Sequence, residues 1–297
     1  MDKNWVTGVV IRATSGFYFV QCATRVISCK VRGRMKQNRY SVCVGDKVAF
    51  TANGEGSGTI EEVLPRESFL KRPEVANVNQ AILTFAANQP RVDFGLLDRF
   101  LVLAELSEIP PVICINKIDM ADPEELRPFL AVYEKIGYPV LEVSAKTGMG
   151  IKALQTLLYD KVSVFAGPSG VGKSSLLNVI EPGLRLVTGE LSQKIGRGKH
   201  TTRCAELLPL SGGGFVVDTP GFSFTEFVEM SPEDLRFQYR EFKSHLTDCH
   251  FSSCLHYKEP QCAVKQAVQD EKIASWRYDS YLELLLEILQ TQQKRRF

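Results

Sequence analysis

The sequence predicts a multi-domain α/β protein in three parts. An N-terminal OB-type β-barrel (residues 1–67) precedes a central doubly wound, mostly parallel sheet of the P-loop class (68–222). A helical, zinc-binding segment (223–297) completes the chain. Three observations predict this: short strand-like runs at the start, apolar strands alternating with helical spacing in the middle, and a compact Cys/His cluster near the end.

In the first part, residues 6–11, 17–22, 25–31 and 46–51 read as strands broken by glycine or polar turns. Val44 to Val48 reads as a turn entering a strand. Short strands without a helical period fit a small five-stranded barrel, a fold that often binds oligonucleotides. Lys30, Arg32, Arg34, Lys36 and Arg39 fall in ten residues with no acidic residue. Such a loop suits a phosphate backbone, and equally suits a solvated surface. Residues 65–77, polar with two prolines, read as a linker.

In the second part, residues 81–85, 112–115, 140–143, 162–165 and 215–217 read as buried strands. Residues 94–106, 124–136 and 151–158 read as helices. Alternation of this kind gives a parallel sheet covered on both faces. The third part is expected to carry helices near 232–242 and 263–273.

The motifs name the chemistry. Gly167-Pro168-Ser169-Gly170-Val171-Gly172-Lys173-Ser174 matches G-x-x-x-x-G-K-[ST] after a strand, and a helix opens at Ser175. Glycines let backbone N–H groups turn inward around phosphates, and the helix N-terminus adds its dipole. Lys173 is expected to reach the β- and γ-phosphates, and the Ser174 hydroxyl to ligate Mg²⁺. Asn116-Lys117-Ile118-Asp119 sits at the carboxyl end of a strand, where open sheets bind ligands. A carboxylate at Asp119 accepts both N1–H and 2-amino hydrogens of guanine, a donor pair adenine lacks, so it selects GTP over ATP. Lys117 would pack on the base and Asn116 would brace the loops. Ser144-Ala145-Lys146 can offer a backbone N–H to the guanine O6. Asp218, in Asp218-Thr219-Pro220-Gly221, would hold Mg²⁺ through water, and Gly221 would donate its N–H to the γ-phosphate.

These motifs stand in rotated order, base-reading before phosphate-binding, as a circular permutation produces. Chain ends lying close together on a domain surface make such a rotation tolerable. Switch I falls within 194–203, where Thr201 or Thr202 would cap Mg²⁺ and the γ-phosphate. The adjacent His200 either orients the attacking water or is a surface histidine on a basic loop. Phe222 stands where many regulatory GTPases carry a water-orienting glutamine, so intrinsic hydrolysis is expected to be slow.

Cys249, Cys254, His256 and Cys262 lie within 14 residues. Three sulfurs and one nitrogen fill a tetrahedral Zn²⁺ shell and leave no open position, which makes the site structural. His250 is a rival ligand, and the remaining cysteines read as small apolar residues. The opening residues show no apolar signal segment, and no apolar run is long enough to span a membrane. With eight cysteines and no signal, reduced thiols and a cytoplasmic location are expected. A formal net charge of +2 leaves any nucleic-acid affinity to local patches. Nothing demands more than a monomer.

Taken together, the barrel-like start, N-K-I-D, S-A-K, G-P-S-G-V-G-K-S, K-H-T-T-R, D-T-P-G-F and Cys-x4-Cys-x-His-x5-Cys closely resemble the ribosome small-subunit-dependent GTPase A family, over essentially the whole chain. The resemblance implies GTP/GDP binding at 116–119 and 167–174 and zinc at the four Cys/His positions. It also implies a factor that binds the 30S subunit and its rRNA late in maturation, with hydrolysis stimulated by the subunit and coupled to release. Two rivals are a GTPase switch acting on a non-ribosomal protein or RNA, and an RNA-binding protein using GTP only as a ligand. Lys173, Ser174 and Asp218, which build the Mg²⁺–phosphate site, argue against the second.

Overall fold

The computed structural model describes residues 5–33, 41–54, 56–71, 73–184, 205–218 and 230–295. The chain divides into two compact units. The first holds residues 1–82, 143–165 and 172–222, and the second 83–142, 166–171 and 223–297.

The first unit opens with β1 (Val6–Thr14), β2 (Phe17–Cys22), β3 (Arg25–Val31), β4 (Lys47–Ala52) and β5 (Ser57–Val63), closed as a barrel in the order β1-β2-β3-β5-β4. β1 returns to β4 antiparallel, and β3 meets β5 parallel. Alternate side chains point inward, so Val10, Val20, Cys29, Val48, Phe50 and Ile60 form one apolar core. β2 and β3 coincide with the predicted runs. β5 was not expected, because Ser57, Gly58 and Thr59 weaken its apolar signal.

Residues 65–77 form not a linker but a hairpin of β6 (Phe69–Lys71) and β7 (Glu74–Ala76). Long-range polar contacts hold it. Arg66 donates two bonds to the fully buried Asp46, at 2.7 and 2.9 Å, and Asn77 Nδ2 donates to Gly45 O at 2.9 Å. Gly45 has φ +89°, and a Cβ there would lie 2.0 Å from Ala76 O, so only glycine lets the hairpin close.

The strands that follow are β8 (Gln80–Ala86), β9 (Pro111–Asn116), β10 (Val140–Glu142), β11 (Val162–Ala166), β12 (Glu206–Pro209) and β13 (Phe215–Asp218), in sheet order β10-β9-β8-β11-β13-β12. β8 and β9 are buried throughout, as strands covered on both faces must be. In the first unit β11 pairs parallel with β13, and β12 adds an antiparallel edge. In the second unit β9 and β10 pair parallel.

Helices α1 (Phe94–Leu106), α2 (Pro123–Ile136) and α3 (Ile151–Leu158) fall within a residue of where the spacing placed them, while α4 (Lys173–Ile180) opens two residues before the Ser175 expected from the motif. Local chemistry fixes their ends. Asp93 caps α1 by accepting from Leu96 N, Asp122 caps α2, and Gly137 closes α2 at φ +97°.

The C-terminal part contains α5 (Pro232–Leu235), a 3₁₀ turn through 236–238, a longer 3₁₀ segment through 240–248, α6 (Ala263–Gln269) and α7 (Ser275–Arg295). The predicted helix over 232–242 is broken because Tyr239 turns extended (φ −97°, ψ 107°), burying its ring with those of Phe242 and Tyr281. Among the described residues no helix is long and apolar enough to cross a membrane.

Candidate nucleotide site and metal centre

The phosphate loop connects β11 to α4. Gly167, Gly170 and Gly172 take φ of +138°, +80° and +93°, the conformations that turn successive N–H groups toward one side. At Gly167 the backbone runs against β8: an added Cβ would sit 1.9 Å from Thr84 O. Gly172 is the left-handed N-cap of α4, which makes Lys173 and Ser174 its first residues. Lys173 is half-buried, and desolvation pulls its ammonium below the usual lysine range.

Asn116 ends β9 and is 1% exposed. Its Nδ2 donates to Val171 O at 2.9 Å, while Ala87 N donates to its carbonyl at 2.8 Å. Lys117 follows in the left-handed region at φ +60°, and its Nζ donates to Gly170 O at 2.8 Å and to Gln89 O. The first two residues of the base-reading motif thus hold two consecutive carbonyls of the phosphate loop, although about fifty residues separate them. Asp119 lies in the 3₁₀ turn Ile118–Met120, exposed.

In the first unit Ser144 is fully buried and ties a tight loop. Its N–H donates to Met149 O, and its Oγ accepts from Thr147 N at 3.1 Å. Ala145 and Lys146 follow at the surface of that loop. Asp218 ends β13, half-buried. Burial, and then the Glu206 carboxylate, push its carboxyl above the usual range. That surplus of negative charge and the hard oxygen donors of Asp218 and Ser174 fit a divalent cation such as Mg²⁺. Thr201, Thr202, His200, Gly221 and Phe222 lie outside the described residues, as do Arg34, Lys36 and Arg39 of the basic loop.

The four predicted metal ligands converge. The ligand atoms of Cys249, Cys254, His256 and Cys262 lie within 4.8 Å of one another. His256 Nδ1 is 3.2 Å from Cys262 Sγ and 3.6 Å from Cys249 Sγ, and the two sulfurs are 4.0 Å apart. Tetrahedral Zn²⁺ with Zn–S of about 2.3 Å sets its ligands about 3.5–3.8 Å apart, so the donor set fits. Burial, then Arg236, lowers His256 to about 4, leaving the neutral imidazole a metal requires. Burial pushes the Cys254 thiol up to about 12, a penalty on the bare thiolate that a bound cation offsets. His250, the rival, is an exposed residue stacked edge-on to Phe251.

Sequence reasoning missed the residues that shape this loop. Glu259 accepts from Leu255 N at 2.8 Å and Tyr257 N at 2.9 Å. Burial raises its carboxyl, but these N–H donors outweigh that and hold it below the ordinary range. Tyr278 and Tyr281, one turn apart on α7, donate to the carbonyls of His256 and Leu255, each at 2.6 Å. Outer contacts of this kind help to fix the loop that carries the ligands.

Comparison with known proteins decides the family. A model described as the RsgA GTPase matches residues 63–228, and one described as the RsgA N-terminal domain matches 7–60. The chain belongs to the RsgA GTPase family. Curated RsgA relatives named "Small ribosomal subunit biogenesis GTPase RsgA" include one from Caldanaerobacter subterraneus subsp. tengcongensis, 47% identical over 290 residues and covering 98% of each chain. Another, from Shouchella clausii, is 48% identical over 98% of this chain and 99% of its own. Among solved structures, YjeQ from Thermotoga maritima superposes with a TM-score of 0.85 at 41% identity, covering 96% of this chain and 99% of that one. YloQ, described as a circularly permuted GTPase, gives 0.83 at 39%, covering 97% and 96%. The RsgA fold is therefore a barrel, a circularly permuted GTPase and a C-terminal Cys/His cluster, and the chain is a GTPase.

Proposed function

We propose that this chain acts in late maturation of the small (30S) ribosomal subunit, binding the subunit and its rRNA, and that the subunit stimulates its GTP hydrolysis, which is coupled to release. The full-length similarity to relatives named for small-subunit biogenesis carries the ribosomal part. The hydrogen bonds from Asn116 and Lys117 to the phosphate-loop carbonyls support the nucleotide part, since they give both motifs one rigid frame. The three segments 1–67, 68–222 and 223–297 serve as RNA-binding barrel, nucleotide switch and zinc module, in a monomer working in the cytoplasm.

In this reading Gly167 to Gly172 wrap the phosphates with backbone N–H groups and Ser175 continues the helix N-terminus beneath them. Lys173 neutralises charge developing on the β- and γ-oxygens. Ser174 and Asp218 would hold Mg²⁺, with Thr201 or Thr202 and Gly221 completing the γ-phosphate shell. Asp119 reads guanine, Lys117 covers the base, and Ser144 to Lys146 present N–H groups to its O6. A bound Mg²⁺ would supply positive charge that stabilises the phosphate oxygens. Phe222 cannot orient a water, so hydrolysis by the free protein is slow and the partner supplies or orders the missing group, with His200 a candidate. Zinc at Cys249, Cys254, His256 and Cys262 is structural.

The test is steady-state GTP hydrolysis with and without purified 30S subunits, using Lys173→Ala as control. Strong stimulation that disappears in the variant and weakens at high salt supports the proposal. Absence of stimulation removes the ribosomal role, leaves the GTPase, and favours a different protein or RNA partner.

A further inference from the structure

A continuous set of contacts within the first unit runs from the barrel to Asp218. β1 carries a bulge between Val10 and Arg12, which breaks the alternation and re-aims Arg12. The Arg12 guanidinium lies over the Phe19 ring at 4.1 Å and reaches Glu206 Oε1 at 3.8 Å. Glu206 begins β12, the antiparallel edge strand, and stands directly opposite Asp218 of β13. Directly opposed residues of an antiparallel pair share one face, their Cβ atoms about 4.5–5.5 Å apart. Two carboxylates are thus held side by side at the end of the strand that delivers Asp218. None of the guanine-nucleotide motifs includes Glu206 or Arg12.

Like charges directly opposed in a ladder are destabilising unless a cation lies near. One cation is Arg12, on a surface ion pair too exposed to add much stability. A second would be a divalent ion bound at Asp218. We propose that Glu206 is a positioning residue for the Mg²⁺ held by Asp218, and that Arg12 of the barrel sets how much of the Glu206 charge that ion feels. Glu206 orients Asp218 across the ladder and adds negative potential where the ion sits. Arg12 draws that potential off. An anionic phosphate backbone that engages Arg12 therefore releases Glu206 to the metal site, so barrel occupancy tightens the hold on the cation.

This inference rests on the reading that Asp218 faces the nucleotide's Mg²⁺, and the experiment separates the two. Half-saturating Mg²⁺ is measured for binding of a fluorescent GDP analogue to the full chain, with turnover as a second readout and thermal melting to confirm folding. Glu206→Gln is expected to raise the half-saturating concentration about three- to tenfold, the effect of one unit charge acting on a divalent ion through a largely aqueous path. Glu206→Asp keeps the charge and stays within about twofold of the parent. Arg12→Gln lowers the half-saturation, and does so much less when combined with Glu206→Gln. Asp218→Asn is the reference, and a silent result there removes the underlying reading of Asp218. A shift in Asp218→Asn with none in a folded Glu206→Gln overturns the role of Glu206. Equal shifts in Glu206→Gln and Glu206→Asp overturn the charge argument in favour of edge-strand packing. No effect of Arg12→Gln overturns the link to the barrel.

Discussion

Replacing Arg277 with methionine removes the cation at the centre of the second unit while keeping most of its volume. Arg277 is 1% exposed and lies between Asp98, fully buried, and Glu241. Its Nη1 donates to Asp98 Oδ1, and its Nε and Nη2 donate to the two Glu241 oxygens at 2.7 and 3.1 Å. Its guanidinium also packs on Tyr239 at 4.6 Å, and Tyr133 donates to Asp98 at 2.6 Å. These contacts tie α7 and the 3₁₀ turn around Glu241 to α1. Replacing the whole network by apolar residues can be nearly neutral, but removing one partner strands the others, at a cost of about 3–5 kcal/mol. With a urea slope of about 2 kcal/mol per molar, the midpoint falls by about 1.5–2.5 M.

The assay is tryptophan fluorescence. The chain has two tryptophans, Trp5 and Trp276, and Trp276 sits among Phe94, Phe129 and Tyr133 of the same unit. In a Trp5→Phe background the signal reports that unit alone. Burial pushes the Asp98 carboxyl up, with Arg277 opposing it. Without Arg277 the native-state value rises further above the unfolded one, so Asp98 destabilises the fold at neutral pH and ceases to as it protonates. The deficit therefore shrinks as pH falls. The triple variant R277M/D98N/E241Q recovers most of the loss. A midpoint within about 0.5 M of the parent, or a triple variant no better than R277M, refutes the reasoning.

Further outcomes follow from the two sites. Gly167→Ala forces a Cβ against Thr84 O at an unfavourable φ, and fluorescent-nucleotide titration should show affinity falling at least about a hundredfold. Asn116→Ala leaves the buried Val171 carbonyl without that donor, which costs about 1–3 kcal/mol in a denaturation curve and weakens GDP binding. Elemental analysis should find one zinc per chain, lost in Cys254→Ala, with an earlier Trp276 transition in the variant and in chelator-treated protein.

Much of this architecture could be read from the residues. β2, β3, α1 and α3 carry regular periodicity and sharp turn or cap signals, so their limits were legible. The Cys/His cluster was legible because compact ligand spacing has few other causes. Less visible were elements held by distant partners. The β6–β7 hairpin depends on Asp46 and Asn77, and β12 is a four-residue edge strand whose only mark is its partner β13. α7 did show a stripe, since Tyr281, Leu284, Leu285 and Ile288 are buried at helical spacing, but a buried arginine at its start masks it. The carbonyls of Gly170, Val171 and Gln89 that receive Asn116 and Lys117 carry no signature at all, because any residue supplies one.

The central claim is that motifs in rotated order build one guanine-specific hydrolytic site. The most direct test compares hydrolysis of GTP and XTP by the parent chain and by Asp119→Asn. Xanthine carries a carbonyl where guanine carries the 2-amino group, so an amide that can donate should prefer it. The account predicts that the parent favours GTP and the variant favours XTP, with Lys173→Ala inactive on both. Unchanged preference in a folded Asp119→Asn protein would contradict it and place base recognition elsewhere in the chain.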